Sequence, residues 1–367
     1  MSIQRTFRRV IAAPTRGTLR KAARSESLRP KLRSAAAAMQ RISNRAAQEI
    51  DTAIEQAASR SHTSSGDQGG MSGEGRSTFG AGPGDDGLYG AAYFGAGRNP
   101  QSREGLSGYE SYDRVTSNAN LQAYTTWRCF DPSNSLDIGC ALGWSVEAFC
   151  ELGFDAQGVE YSEYAVAHCA PGARGHIHQG DLLKGLKFSD GQFDLVTAFE
   201  ILEHLPPESI PVALAEIRRV TKSFLFATIP TFGPNEFGPD GWFYGKVRDE
   251  RLAHYESMRS SFEGPVPFKD LMCDRDGNPV EGHLCIASFS WWQKQFEAAG
   301  FERSGVMESR LYPIVAALGL TGYWNLHVLR VPGTELPSED LRSADEIADI
   351  EQKWEIDKRI EIVRENQ

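Results

Sequence analysis

The chain has 367 residues, of which 40% are hydrophobic and 24% charged, a composition typical of a globular protein with one large domain or two smaller ones. No apolar run reaches the roughly 20 residues of a membrane-spanning helix. The six cysteines show no CxxC spacing, which argues against a zinc site or a disulfide framework.

The net charge of -10 is unevenly distributed. Residues 1–60 carry 13 Lys and Arg against 4 Asp and Glu, a local charge of +9, and the remainder carries -19. An acidic body disfavours a nucleic-acid partner, because phosphate backbones bind basic surfaces. The basic stretch has apolar residues at helical spacing. It is compatible with a solvated extension, with peripheral contact to an anionic membrane or a partner, or with a transit peptide. We expect a cytoplasmic or membrane-peripheral location.

Residues 61–87 are rich in Gly and Ser and predict a flexible linker. Residues 88–332 form the predicted catalytic domain, in which short apolar strands alternate with helices. That alternation predicts an α/β fold with a doubly wound, mostly parallel seven-stranded sheet and helical N- and C-terminal extensions. Helices are predicted at Val146–Leu152, Glu163–Cys169, Pro206–Val220 and Phe289–Ala299. Strands are predicted at Leu136–Ile138, Ala156–Val159, around Ile177, and at Phe193–Phe199, Phe224–Ile229, Glu302–Met307 and Tyr323–Val331.

Two further segments complete the chain. Residues 231–282 are an insertion rich in Gly, Pro and aromatic side chains, which we interpret as a lid over a bound acceptor substrate. Residues 333–367 predict an acidic C-terminal helix that opens with a capping box of Ser343 and Glu346. An apolar stripe on that helix would suit a surface helix or a homo-oligomer.

Small residues and acids follow the first three predicted strands. The first strand leads into Asp137-x-Gly139-x-Ala141-x-Gly143, where small residues let the backbone approach a ligand closely. Ligands of such sheets bind at the carboxyl ends of the strands. Glu160 ends the second strand and can accept from two ribose hydroxyls, and Asp181 follows the third and can accept from an adenine amino group. An NAD site would want a further glycine in the loop.

This combination, together with "FDLVTAFEILEHL" and "EIRRVTKSFLFATIP", resembles the class I S-adenosylmethionine-dependent methyltransferases. Their loop usually has glycine at the position of Ala141. The resemblance implies S-adenosylmethionine as the cofactor and a Rossmann-like fold. It also implies positions for the site residues. Asp137 and Gly139 would face the methionine part, Glu160 with Tyr161 the ribose, Asp181 and Leu182 the adenine, and Glu200 the methyl donor.

Two histidines are the candidate catalytic bases that remove the acceptor's proton. His204 belongs to an ExxEH sequence after the fourth strand, and His283 follows the lid insertion. A similar cluster in quinone-pathway O-methyltransferases can hold a divalent metal. Our primary interpretation assigns no metal. A site made by Glu200, Glu203 and His204 stays open as the alternative.

The aromatic entry "GLYGAAYFG…GLSGYESYDR" resembles methyltransferases of bacterial surface-glycan pathways, in which such a segment helps to cover the cofactor. It favours O-methylation of a glycan, glycolipid or sugar-containing acceptor. Two alternatives stay open. One is a small-molecule or quinone-type O-methyltransferase, and the other is a catalytically silent binding or scaffold protein.

Overall fold

The computed structural model describes residues 89–91, 93–94, 112–233, 246–273, 277–320 and 325–366. All of them belong to one of the two units into which the chain divides, Gly75–Gln367. The predictions for residues 1–60 and 61–87 lie outside the described residues, as does the part of the lid insertion at 234–245.

A single sheet organises the described part of the chain. Its strand order is β3-β2-β1-β4-β5-β7-β6. Strands β1 to β5 run parallel, whereas β7 is antiparallel to both β5 and β6. The chain reverses its direction of winding between β1 and β4, and the crevice at this point is where such sheets bind ligands. The predicted α/β fold is confirmed. The strands are β1 Ser135–Ile138, β2 Ala156–Glu160, β3 Ile177–Gln179, β4 Phe193–Phe199, β5 Thr221–Thr228, β6 Glu302–Arg303 and β7 Leu326–Arg330.

Helices cover both faces of the sheet, and each face has its own hydrophobic cluster. One cluster joins the first, second and seventh helices to the sheet, and the other joins the fourth and sixth. Because both faces are covered, all four residues of β1 and five of the seven residues of β4 are buried. The helices are α1 Ala119–Cys129, α2 Trp144–Glu151, α3 Glu163–Ala167, α4 Ile210–Val220, α5 Asp249–Ser257, α6 Phe289–Ala298, α7 Gly305–Ala317, α8 Ala344–Lys353 and α9 Ile356–Asn366.

One predicted strand was wrong. The expected strand Glu302–Met307 shortens to the two residues of β6, and α7 begins at Gly305. The helix forms because Met307, Leu311 and Val315 recur at intervals of four residues and are all fully buried. The predicted helix Pro206–Val220 also starts later than expected, because residues Pro207–Ser209 form a 3-10 turn before α4.

The C-terminal segment forms two helices rather than one. The predicted capping box is confirmed, since the Ser343 hydroxyl accepts from the Glu346 N–H and the Glu346 carboxylate accepts from Ser343. Ile347, Ile350 and Trp354 pack against the protein's own core. The apolar stripe therefore has an intramolecular partner, and the homo-oligomer stays a prediction.

The described part of the lid insertion has a hydrophobic cluster of its own. The cluster includes Phe232, Tyr255, Phe262 and Leu271, and a bridge between Val247 and Leu271 holds its ends together. Such packing makes the described part of the insertion a folded unit with its own apolar core. Among the described helices, none has the length and apolar character needed to cross a bilayer.

Candidate functional site

The loop after β1 has a backbone that only small residues tolerate. Gly139 and Gly143 have φ angles of 65° and 74°, in the left-handed region. A Cβ on Gly139 would lie 2.5 Å from the side chain of Ile201, and one on Gly143 would lie 2.2 Å from that of Ile177. The two glycines therefore fix both the shape of the loop and its packing against the neighbouring segments.

Ala141 occupies the third small position of this loop. Its φ of 51° is also left-handed, a conformation that an alanine adopts at a cost of roughly 1–2 kcal/mol. The Ala141 N–H donates to Glu160 Oε2 at 2.8 Å, and this bond compensates part of the strain. The Ser162 N–H donates to Glu160 Oε1, also at 2.8 Å. Glu160 thus organises the loop and retains lone pairs for a ligand.

Asp137 lies at the centre of the sheet, at the end of β1. It is 4% exposed, and the Thr197 hydroxyl of β4 donates to its Oδ1 at 2.7 Å. Burial raises the pKa of Asp137 to about 7, the Thr197 hydrogen bond opposes this shift, and the nearby Glu160 adds to it. Asp137 therefore connects the loop after β1 to the neighbouring strand β4.

Asp181 and Leu182 follow β3, as the sequence predicts for the adenine end. The Leu183 N–H donates to Asp181 Oδ1 at 2.9 Å, and Lys184 lies 3.0 Å from its Oδ2. Leu182 is partly buried against the core. Tyr161 lies between Glu160 and the capping residue of α3, Ser162.

An aromatic cover lies over the loop. Phe94 is buried in one cluster with Ala141 and Ala165, and its ring stacks on Tyr164 with the centroids 6.1 Å apart. Tyr93 contacts the same ring edge-on at 5.1 Å. Phe94 and Tyr93 therefore pack against Ala141 of the loop, and a role of this segment in covering the cofactor stays a prediction.

Glu200 directly follows β4. Its φ of 54° is left-handed, and its buried Oε1 has no hydrogen-bond partner in the part of the chain that the structure describes. Burial raises the pKa of Glu200 to about 7, Thr228 and Lys246 oppose this shift, and Glu281 adds to it. Strained backbone and unpaired polar atoms of this kind concentrate at functional sites.

The 3-10 turn Leu202–His204 follows directly and is tied to the lid. The carbonyl of Glu203 accepts from the N–H groups of Leu284 and Cys285 at 2.8 and 2.9 Å. The end of the lid therefore lies beside this turn and is hydrogen-bonded to its backbone. This contact brings His283 next to His204, although 78 residues separate them in the sequence.

Glu203, His204 and His283 form one buried cluster. Each histidine Nε2 lies 3.9 Å from Glu203 Oε1, and the two imidazole rings meet edge-to-face with centroids 5.0 Å apart. Both oxygens of Glu203 are buried, and neither has a hydrogen-bond partner among the described residues. Suitable ligand atoms of the three residues lie within 4.8 Å of one another.

Burial sets the protonation of this cluster. It lowers the pKa of His204 to about 4 and that of His283 well below its ordinary value, so both imidazoles are neutral at neutral pH. It raises the pKa of Glu203 well above its usual range, and the neighbouring Glu200 adds to the effect. Two neutral proton acceptors therefore face a carboxyl group whose ionised form is disfavoured by burial.

Lys246 is a lid residue that sequence reasoning missed. It is 4% exposed, and its ammonium pairs with the carboxylate of Glu281 at the mouth of the site. Burial lowers its pKa, whereas Glu281, Glu203 and Glu200 raise it. No motif surrounds Lys246 in the sequence, so its contact with the cluster could be found only from the fold.

The structure brings the predicted residues together in two groups. The donor-side group consists of the loop, Glu160 and Glu200, and the acceptor-side group consists of Glu203, His204 and His283. The two candidate bases, proposed separately from the sequence, share one carboxyl group. Among the acids of the metal alternative, Glu200 lies outside the cluster with metal-ligand spacing and His283 takes its place. The six cysteines all carry free thiols, as expected.

Comparison with known proteins agrees with this geometry. Residues 136–224 match the family model for a methyltransferase domain. A ubiquinone biosynthesis O-methyltransferase of Methylococcus capsulatus is 32% identical over 115 residues, covering 30% of this chain and 47% of that protein. The enzyme of the same description from Pseudomonas aeruginosa is 32% identical over 179 residues, covering 42% of this chain and 72% of that protein. The chain thus spans about half the length of the first of these relatives.

Solved structures similar to this chain include a SAM-dependent methyltransferase from Archaeoglobus fulgidus, at 17% identity and a TM-score of 0.35, covering 59% of this chain and 94% of that one. Another is magnesium protoporphyrin IX methyltransferase from Synechocystis with bound SAH, at 15% identity and a TM-score of 0.34, covering 59% and 81%.

The domain match and the Pseudomonas relative show that the chain belongs to the S-adenosylmethionine-dependent methyltransferases. S-adenosylmethionine is its cofactor, as the loop and Glu160 led us to expect.

Proposed function

We propose that this methyltransferase transfers the methyl group to a hydroxyl of a small molecule, with His204 and His283 as the proton acceptors. The observation that carries the proposal is the pair of neutral, buried imidazoles over Glu203, one turn beyond Glu200 at the donor crevice. A hydroxyl must lose its proton as the new carbon–oxygen bond forms, and a buried imidazole can accept that proton.

The residues of the donor crevice fit the cofactor. Glu160 suits ribose hydroxyls, since the N–H groups of Ala141 and Ser162 hold its buried carboxylate in place beside the loop. The unpaired Oε1 of Glu200 suits a positive charge, and Phe94 closes the apolar side. The bound cofactor supplies an electrophilic methyl group on a sulfonium. Asp137, Gly139, Ala141 and Gly143 shape the loop, and Asp181 with Leu182 border the adenine end.

On the acceptor side, His204 or His283 takes the hydroxyl proton at Nε2. The resulting imidazolium lies 3.9 Å from Glu203 Oε1, and this carboxyl oxygen stabilises its positive charge. The lid contributes to this step by holding His283 against the turn and by excluding water from both rings. Proton removal of this kind contributes roughly 10²–10⁴-fold to a rate.

The relatives support the small-molecule alternative over a glycan or glycolipid acceptor. Those that match at about 30% identity are described as ubiquinone biosynthesis O-methyltransferases. The cluster also suits a compact acceptor, since Glu203, His204 and His283 are each less than 10% exposed. A phenolic hydroxyl is the chemistry that a single imidazole deprotonates most readily. Peripheral membrane contact through residues 1–60 is retained as part of the proposal.

The proposal is tested with methyl-labelled S-adenosylmethionine and a panel of catechols, simple phenols, aliphatic alcohols and sugars. We expect label on a phenolic oxygen, with catechols methylated fastest. Label that enters only sugars would support the glycan acceptor instead. Donor binding without methylation of any acceptor, in the panel or in extracts, would support the scaffold interpretation.

The raised pKa of Glu200 predicts that binding of the methyl donor releases protons. This pKa of about 7 leaves the carboxyl group partly protonated at neutral pH, and a bound sulfonium should favour the carboxylate. Binding of S-adenosylmethionine should therefore release protons from about pH 6 to 7. S-adenosylhomocysteine, which lacks the positive charge on sulfur, should release fewer. Calorimetry in buffers of different ionisation enthalpy measures the difference.

The matched control is Glu200→Gln, which should abolish the difference between the two ligands. Above about pH 8 the difference should also vanish in the unaltered protein, because Glu200 is then already ionised. Equal proton release by both ligands at pH 6 would contradict a position of Glu200 beside the sulfonium.

A metal-assisted form of the reaction is the second candidate. Two histidines and a glutamate are the ligand set of many catalytic zinc sites, and the unpaired oxygens of Glu203 fit a cation. Glu203, His204 and His283 would hold the ion, which would lower the pKa of an acceptor hydroxyl. This set replaces the Glu200, Glu203 and His204 set considered from the sequence.

Chelation separates the two forms. The imidazole-base mechanism predicts unchanged turnover after EDTA treatment and removal of the chelate. A loss of tenfold or more that one equivalent of Zn²⁺ or Mn²⁺ restores would establish the metal-assisted form. Loss of that restored activity in Glu203→Gln, with donor binding intact, would assign the ion to this cluster.

A further inference from the structure

Tyr89 lies where the donor pocket and the acceptor-side cluster meet. Its carbonyl oxygen accepts from the Ser162 hydroxyl at 2.7 Å. The same Ser162 donates its N–H to Glu160 and accepts from the Ala165 N–H as the cap of α3. The main chain at Tyr89 is therefore attached to the residue that orients the donor-side carboxylate.

The side chain of Tyr89 reaches the other half of the site. Its ring meets the His204 imidazole at a centroid distance of 6.2 Å and an interplanar angle of 79°. A Cβ on Gly282 would lie 3.0 Å from His204 Nδ1 and 3.7 Å from the Tyr89 hydroxyl oxygen. Because Gly282 has no side chain, the lid, the His204 ring and the Tyr89 ring can meet at one point.

The surroundings of the phenol confirm its position. Burial raises the pKa of Tyr89, and the charges of Glu160 and Glu203 raise it further. The phenol is therefore close enough to a carboxyl group in each half of the site for its pKa to respond to that group's charge. Tyr93, by contrast, contacts Tyr89 and Phe94 edge-on and belongs to the aromatic cover over the loop.

We propose that Tyr89 is a positioning residue that couples the donor pocket to the acceptor-side base: its main chain follows Ser162 and Glu160, and its ring sets the orientation of His204. This inference rests on the proposed function, because it assigns His204 a part in proton removal. Donor binding at Glu160 fixes Ser162, Ser162 fixes Tyr89, and the Tyr89 ring limits the rotation of the imidazole. A base misplaced by about 1 Å can lower a rate by roughly 10²-fold.

The kinetic test compares Tyr89→Phe, Tyr89→Leu and Tyr93→Leu in the full chain with a phenolic acceptor. Tyr89→Leu should lower kcat 10- to 100-fold and change the donor KM less than threefold. Tyr89→Phe keeps the ring and the carbonyl bond, so it should retain kcat within threefold. Tyr93→Leu removes a ring from the same segment and serves as the control for lost packing, with thermal melts confirming that both leucine variants fold.

A second readout does not need turnover. In protein with ¹³C-labelled histidine, S-adenosylhomocysteine should shift the His204 ring signal, which His204→Gln identifies by its loss. Tyr89→Leu should remove this response while the ligand still binds, and Tyr93→Leu should preserve it. A response that is unchanged in Tyr89→Leu, or a kcat that falls equally in both leucine variants, would overturn the coupling role.

The two readouts separate the inference from the function on which it rests. If the protein methylates no acceptor but Tyr89→Leu removes the ligand response of His204, the coupling role is supported and the proposed function is contradicted. If the protein methylates phenols but Tyr89→Leu changes neither kcat nor the His204 response, the proposed function is supported and the coupling role is contradicted.

Discussion

His204→Gln is expected to lower kcat by roughly 10²–10⁴-fold while leaving the dissociation constant for S-adenosylhomocysteine within threefold. Glutamine has nearly the shape of the imidazole but cannot accept a proton at neutral pH. The pKa of His204, about 4, means that the imidazole is already the free base at physiological pH. Turnover in the unaltered protein should therefore persist down to about pH 5 and fall below it.

His283→Gln should have a smaller effect, on the order of 10–100-fold, if His204 is the principal base. The double variant should resemble His204→Gln rather than the product of both losses, since the rings share Glu203 and act as a unit. His178→Gln is the control, because His178 is exposed on β3 and contacts Gln157. Full turnover in both His204→Gln and His283→Gln would contradict the assignment of the base.

Glu160→Ala is expected to weaken donor binding by roughly 10²–10³-fold. The substitution leaves the N–H groups of Ala141 and Ser162 without their acceptor and removes the carboxylate that faces the ribose. The left-handed backbone at Ala141 then loses the bond that compensates its strain. Calorimetry with S-adenosylhomocysteine measures the effect directly, without an acceptor.

Two variants control for indirect damage from this change. Glu163→Ala removes an exposed carboxylate one turn away and should bind the ligand normally. Glu160→Gln keeps one carbonyl acceptor and should fall between Glu160→Ala and the unaltered protein. A folded Glu160→Ala protein with unchanged affinity would exclude Glu160 from the donor pocket.

The donor half of the site was readable from the sequence because its parts are local. A short apolar strand, a loop with small residues at alternate positions and an acid at the end of the next strand occur within 24 residues, from Asp137 to Glu160. Their relative positions follow from the parallel sheet itself. The left-handed φ angles of Gly139 and Gly143 give the physical reason for those glycines.

The acceptor half depends on contacts that no spacing encodes. His283 joins His204 because the Glu203 carbonyl binds the backbone of the lid's end, and Lys246 comes from within the same insertion. Tyr89 comes from a third segment, before the sheet begins. The order of these residues in the sequence does not predict their contacts, which become apparent only from the fold.

The wrong prediction of a strand at Glu302–Met307, where α7 begins, has a different origin. Gly305 and Pro313 are residues that usually interrupt helices, and they concealed the four-residue spacing of the buried side chains. In the C-terminal segment, the capping box was readable from two residues. The break between α8 and α9 was not, since it depends on Glu355 taking a left-handed φ of 55°.

The measurement that tests the account most directly is calorimetric titration of the full chain with S-adenosylmethionine, repeated with Glu160→Ala. We predict one saturable site per chain in the unaltered protein and a loss of affinity of at least 10²-fold in the variant. Absence of binding at millimolar cofactor would contradict the methyl-donor site, and with it the chemistry assigned to His204 and His283.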